Sequence, residues 1–248
     1  MVNFFSVNRL RCFRFLGILI WLGLWQVISP AVTPISVFQQ FIQLLNFATL
    51  KIVLFTFFLV LSGFLVSYLL GTILAFLSFR FIFIRMLIDP LIYFCKLTPV
   101  VVVIMALLLY FTPIGVGFII IIITVMPICY LNTLTGLENI NRQLEEVATV
   151  FGVNNFVKLF YVYIPQILSE LFSSANIGIG FAFKSAIAAQ VIAITSGSIG
   201  EQIYFSKLYI DTNSMMAWLA IVLMMGAILQ FFVNRIFSLE LNLFKKIW

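Results

Sequence analysis

Gln143-Leu144-Glu145-Glu146-Val147-Ala148-Thr149-Val150-Phe151-Gly152, with Val162-Tyr163-Ile164-Pro165 beyond it, occupies a polar island (residues 136–161) between two long apolar runs. Leu144, Val147, Ala148 and Phe151 recur at intervals of three or four residues, the spacing of one helical stripe, so a short amphipathic helix is expected over Gln143–Phe151. Glu145 and Glu146 fall beside that stripe. Gly152 suits a helix end with positive φ, because it has no Cβ to clash there. The small side chains of Ala148 and Gly152 permit close approach by another protein. Pro165 suits the first turn of the next helix, where a missing N–H costs nothing. A solvated loop helix and a docking element both fit this pattern; docking is the reading carried forward.

Working outward, the flanking sequence sets the physical class. Of the 248 residues, 64% are hydrophobic and 9% charged, and the mean hydropathy is +1.21. Such a chain is not a water-soluble domain. A bilayer core is crossed by roughly 20 apolar residues in a helix, whose backbone groups are satisfied internally. Barrel strands alternate polar and apolar residues. Val100–Leu109 and Phe118–Met126 are apolar all round, so the expected fold is all-α and integral to the membrane.

Runs and charges give six spans: Phe13–Ile28, Ile52–Phe79, Met86–Phe111, Ile114–Leu134, Val162–Ile194 and Met215–Ile236. Pro30 and Pro34 punctuate the first connection, which leads to an amphipathic stretch near Val37–Phe47. No internal repeat or linker is visible. The organisation expected is an N-terminal helix with its external stretch (1–51), one integral core (52–238) and a short tail (239–248). Arg9, Arg11 and Arg14 before the first run resemble the start of a secretory signal, but no cleavage-site pattern precedes Pro30, so a retained helix is expected.

Orientation follows from the cations. With the N-terminus in the cytoplasm, ten of them (Arg9, Arg11, Arg14, Arg80, Arg85, Arg142, Lys158, Arg235, Lys245 and Lys246) face inward. Two, Lys51 and Lys207, face outward, while Lys96 and Lys184 lie inside spans. This is a positive-inside bias. It puts both termini and the Glu146 island in the cytoplasm and makes the net charge of +6 a matter of topology, not of nucleic-acid binding.

Other chemistries lack their residues. Histidine is absent, removing the commonest general base and metal ligand. Cys12, Cys95 and Cys129 stand at no metal-ligand spacing and read as buried small hydrophobes. There is no G-x-x-x-x-G-K-[ST] phosphate loop, so ATP-driven work would need a separate subunit. Asp89, Glu170, the membrane lysines and the serines form no catalytic constellation.

The spacing Glu146-Val147-Ala148, Gly152, Val162-Tyr163-Ile164-Pro165 resembles the cytoplasmic loop of ABC importer permeases, Glu-Ala-Ala, three residues, Gly, nine residues, Ile-x-Leu-Pro. Glu146, Ala148, Gly152 and Pro165 match by identity, while Val147 replaces the first Ala. Asn132-Thr133-Leu134-Thr135-Gly136 is similar to a turn of the nitrate/sulfonate/taurine branch. Phe183-Lys184-Ser185-Ala186-Ile187-Ala188-Ala189-Gln190-Val191-Ile192 resembles that branch's aromatic-led fifth helix. Ser198-Ile199-Gly200-Glu201, Lys207-Leu208-Tyr209 and Ala217-Trp218 resemble its external loop and the start of its last helix. The likeness covers about 52–238 and is strongest from 132 to 220. Many relatives carry Trp at Phe183 and Glu at Gln190, and the Tyr110–Val116 turn lacks the usual aromatic-Gly pattern, departures that bear on substrate.

This resemblance implies a type I importer architecture in a prokaryotic cell membrane: two permease copies around a pathway, two cytoplasmic ATPases below, an external substrate-binding protein above, and lipid around. It implies no cofactor and no metal. The ATPases would push on a coupling loop that includes Glu145, Glu146, Ala148, Gly152 and Pro165, switching between two packings. The solute is small, with nitrate, sulfonates, taurine, bicarbonate or a heterocyclic vitamin precursor all compatible.

Polar residues in the spans are candidates for the pathway. A mid-bilayer charge costs about 3 kcal/mol on insertion scales, so it faces a cavity or a partner. Lys184 lies 19 residues after Pro165, about 28 Å along a helix. Lys96 lies three residues before Pro99. Together with Ser185 and Gln190 they form a candidate set favouring an anion. The competing readings are ion pairs with Asp89 or Glu170, snorkelling of the lysines, and a helix-joining role for Gln190. A self-sufficient ion-coupled transporter is the alternative function; it should carry repeats or deep acidic residues.

Overall fold

The computed structural model describes the backbone of residues 32–247 with isolated positions between 17 and 27, and side chains as far as Arg235 apart from Asn155. The first expected span, Phe13–Ile28, with Arg9, Arg11, Cys12 and Arg14, therefore lies largely outside the described residues.

The helices are α1 (Pro34–Gln43), α2 (Phe47–Arg80), α3 (Ile82–Leu97), α4 (Val100–Leu107), α5 (Pro113–Glu138), α6 (Arg142–Val150), α7 (Asn155–Lys158), α8 (Ile164–Ala193), α9 (Ile199–Leu208) and α10 (Thr212–Ile247). A π-helical turn, Leu159–Tyr163, joins α7 to α8. Polar caps fix several starts: Asn46 accepts from the Thr49 N–H at 2.9 Å, and Thr112 from Gly115 at 3.3 Å, with Pro113 in the first turn. Before α10, Asp211 accepts from the Ser214 N–H and hydroxyl. Those bonds hold its carboxyl below the usual range, since they favour the charged form.

Helices α2, α5 and α8 form the centre. Because α2 is apolar on every side, its core face is marked by size instead. Gly63, Ser67, Gly71 and Ala75 recur every four residues and are all buried. This small-residue stripe lets backbones approach closely, which is how helices associate where lipid is as apolar as leucine. A Cβ on Gly71 would stand 2.7 Å from the Met126 carbonyl oxygen and 2.8 Å from Cys129 Cβ. The main core unites Val60 and Phe64 of α2, Ile121 and Val125 of α5, Ile179 and Phe183 of α8, and Trp218 and Ile221 of α10. Helix α1 is strapped to α10 by Ser36 to Asn213 (3.0 Å) and Gln40 to Ser214 (2.9 Å).

Among the described residues, four helices are long and apolar enough to cross a membrane, or five if one bent pair counts as a span. That pair corrects the sequence expectation. Met86–Phe111 is not one straight helix: α3 and α4 meet at a bend of 100°. Pro99 supplies the cause, since its ring pushes Thr98 out of the helical region; Thr98 has φ −74 and ψ 129. Helix α9 was not expected. Ser198 caps it, accepting from the Glu201 N–H at 3.1 Å.

Candidate docking site and the polar groups of the spans

Helix α6 lies at the end of the bundle where α2 and α5 finish. Asn141 caps it, its side chain accepting from Gln143 N–H at 3.0 Å. At the other end Gly152 adopts φ +64, and the Val153 N–H reaches back to the Ala148 carbonyl at 2.9 Å, a Schellman-type ending. Its observed span, Arg142–Val150, matches the expected Gln143–Phe151 within a residue.

One face of α6 and its cap are bound to the segment that runs from α7 through the π turn into the start of α8. Tyr163 donates to Glu145 Oε1 at 2.6 Å, the Asn141 N–H donates to Gln166 Oε1 at 2.7 Å, and Lys158 Nζ donates to Thr149 Oγ1 at 2.8 Å. Ala148 is buried within this chain, so its small side chain serves internal packing and is not open to another protein. The outward face carries the exposed Glu146, Val147, Val150 and Phe151, the last two 84% and 80% exposed. Sequence reasoning separated neither Glu145 from Glu146 nor Val150 from the solvent side. Glu145 anchors the helix; Glu146 projects from it.

Pro165 sits in the first turn of α8. Its ring cannot coexist with a regular bond to the carbonyl four residues earlier. The π turn directly before it absorbs that mismatch, with the Ile164 N–H bonding Leu159 O, five residues back. Tyr163, the anchor of Glu145, therefore lies in the wide turn and packs edge-on against Phe79, ring centres 6.2 Å apart.

Beside α6 opens a cleft of about 570 Å³, whose lining includes Arg85, Glu138, Arg142, Glu145 and Glu146. Arg85 bonds Glu138 at 2.5 Å and Asp89 at 3.3 Å, and Tyr130 donates to Asp89 at 2.6 Å. Asp89 thus pairs with Arg85, not with a membrane lysine, and Glu170 accepts from Ser169. The ion-pair reading of Lys96 and Lys184 does not hold among the described residues.

The pathway candidates separate. Lys96 and Pro99 are exposed at the α3–α4 bend. Lys184 is exposed, its Nζ 5.6 Å from the Phe181 ring centre, on a face of α8 that also bares Ile177 and Phe181. Ser185 is buried, accepting from Thr124 at 3.0 Å and donating to Ala182 O. Gln190 is fully buried: its Oε1 accepts from Thr56 and from the Gly200 N–H, each at 3.3 Å. The Ile199 N–H in turn donates to Thr56 Oγ1 at 3.1 Å. Gln190 Oε1 thus links α8 to α2 and α9, while its Nε2 is buried with no partner among the described residues. Among the described residues no group of three or more His, Cys, Asp or Glu could hold a metal ion.

The described residues form a bundle of helices long and apolar enough to cross a membrane, with an amphipathic helix anchored at one end. The family described as binding-protein-dependent transport system inner membrane component matches residues 67–239, more than half of the sequence, and the chain belongs to that family. It is a multi-pass membrane protein. The putative aliphatic sulfonates transport permease protein SsuC of Escherichia coli is 25% identical over 125 residues, 50% of this chain and 44% of the relative. The taurine transport system permease protein TauC of the same organism is 22% identical over 151 residues, 59% and 54%. The riboflavin transport system permease protein RibX of Chloroflexus aurantiacus is 32% identical over 91 residues, 37% and 33%. The chain spans about half the length of the first two of these relatives. In fold it resembles a chain of the MetNI methionine ABC transporter in an inward-facing conformation, with TM-score 0.60 at 15% identity over 78% of this chain and 98% of that one. A chain of an amino acid ABC transporter gives TM-score 0.57 at 18% identity over 76% and 90%.

Proposed function

We propose that the chain is the membrane-spanning permease subunit of an ATP-driven importer, with Arg142–Val150 as the helix that docks a separate cytoplasmic ATPase. The observation that carries this reading is the division of α6 into two faces. Glu145, Asn141 and Thr149 fix it to the chain, while Glu146, Val147, Val150 and Phe151 remain exposed. An apolar patch rimmed by charge on an otherwise anchored helix is the form of a partner site. Both termini are cytoplasmic in this reading, and residues 52–238 form the transport core.

A second copy of the chain completes the pathway and an external binding protein delivers the solute. Lys184 supports an anionic solute of the sulfonate, taurine or nitrate kind. It is an exposed ammonium within a membrane-spanning helix, and such a group is stable where water or a partner meets it. Lys96 and Pro99 at the bend are further pathway candidates, whereas Ser185 and Gln190 act by holding helices in place.

Reconstitution into liposomes with the partner subunits and binding protein tests the function. Uptake from a panel of labelled sulfonates, taurine and nitrate should require ATP on the ATPase side and persist without an ion gradient. Uptake by the chain alone, driven by a proton or sodium gradient, would establish ion-coupled transport instead.

A further inference from the structure

A second cleft, about 600 Å³, opens on the other side of Glu145, between the end of α2 and the α7–π-turn segment. Its walls include the rings of Phe76, Phe79, Phe156 and Tyr163, and its charges are Arg80, Lys158 and Glu145. The Glu145 carboxylate already accepts from Tyr163. Lys158 gives one N–H to Thr149, leaving two of its three donors. Among the described residues Arg80 has no side-chain hydrogen bond or ion pair; its guanidinium carbon lies 5.9 Å from the Phe81 ring centre, so its forked donors are uncommitted. The cleft therefore carries two cations and one carboxylate, a net charge of +1, above an aromatic floor.

Its depth in the bilayer follows from α2. No charged residue lies between Lys51 and Arg80, which are 29 positions apart; at 1.5 Å per residue that is about 43 Å. A bilayer measures about 40–45 Å with its headgroup layers, so Lys51 and Arg80 each reach a headgroup layer. Phe81, Phe83, Phe156 and Phe160 are exposed around the Arg80 end, with Tyr161 exposed among them, and tyrosine is enriched at membrane interfaces. The cleft opens where phosphodiesters are concentrated.

We propose that this cleft binds the phosphate headgroup of an anionic phospholipid, with Arg80 and Lys158 on the phosphate oxygens and the aromatic rings under the first atoms of the chains. Guanidinium groups match phosphate oxygens in a bidentate fashion, and basic clusters at this depth draw anionic lipid. A headgroup there touches the end of α2, the π turn and Lys158, whose ammonium also bonds Thr149 of the docking helix, so it braces α6 against the bundle. The proposal is independent of which solute or ATPase the chain serves.

The test is thermal unfolding of the purified, delipidated chain in a neutral detergent. Short-chain phosphatidylglycerol, short-chain phosphatidylcholine and inorganic phosphate are titrated separately. Phosphatidylglycerol should raise the midpoint by several degrees, as ligand binding to the folded state does; the other two should not. The double variant Arg80→Gln, Lys158→Gln should lose that rise while unfolding near the wild-type midpoint in detergent alone, because Arg80 is exposed and Lys158 half-buried. Lys158→Arg should retain it. Should the double variant fold poorly, native mass spectrometry of Arg80→Gln alone should show fewer retained phosphatidylglycerol adducts than wild type. An equal response to phosphatidylcholine, or an unchanged response in the double variant, would overturn the site. A rise with inorganic phosphate alone matching that with phosphatidylglycerol would overturn the lipid as its source.

Discussion

Gly200→Ala is expected to be among the most damaging single-methyl additions in the chain. A Cβ there would lie 2.6 Å from the Gln190 carbonyl carbon and 2.7 Å from the Val191 nitrogen, besides overlapping Gln190 Cβ. These are backbone atoms of α8, so no rotamer change relieves the contact and α9 must lift away. Lifting it breaks the bonds from Gly200 to Gln190 and from Ile199 to Thr56, leaving buried polar groups unsatisfied. The cost should be about 3 kcal/mol or more, read as a midpoint lowered by roughly 6–12 °C. An unchanged midpoint in detergent would refute the packing of α9 on α8.

Gly71→Ala should be nearly as severe, for a reason tied to the centre of the bundle. The new methyl group would press on the Met126 carbonyl oxygen, so α2 and α5 would have to separate along their length. Gly63 provides the contrast: its nearest neighbour is the terminal Cδ1 of Ile121, 2.8 Å away, which can swing aside, while Cγ2 and Cβ at 3.0 and 3.1 Å need a shift of a few tenths of an ångström and no backbone atom is met. Gly63→Ala should cost about 1 kcal/mol. Gly180 has nothing within 4 Å in this chain, so Gly180→Ala should be neutral or slightly stabilising by helix propensity. Unfolding midpoints of the three variants should rank Gly71→Ala lowest and Gly180→Ala highest. A Gly71→Ala protein as stable as wild type would contradict the close approach of α2 and α5.

Helix α6 was legible because its signals are local. A stripe at helical spacing and a terminal glycine both act within one turn of their own position, and the helix fell within a residue of expectation. Its inward face was not legible, since a nine-residue helix flanked by bundle and solvent offers two apolar faces. Which one turns inward is set by Tyr163, 18 residues beyond Glu145. The span break at Pro99 had a sequence signal, yet Pro90 and Pro127 lie inside unbroken helices. Hydropathy windows, which sum composition over many residues, cannot tell these cases apart. Helix α9 carries an N-terminal signature in Ser198-Ile199-Gly200-Glu201, a serine three residues before a glutamate. Its role rested instead on Gln190 and Thr56, 134 residues apart, and no local pattern announces such a pairing.

Under the proposed function, α6 is the handle by which a separate ATPase grips this chain. Co-purification in detergent with the ATPase encoded nearest to it tests this most directly, comparing wild type with Glu146→Arg plus Gly152→Asp. The first substitution inverts the charge of the outward face, and the second puts a side chain at φ +64, straining the end that sets the exposed Phe151. Wild type should retain the ATPase, and the double variant should lose it while reaching the membrane in equal amount with the same unfolding midpoint within a few degrees. Equal retention by both proteins would contradict the claim.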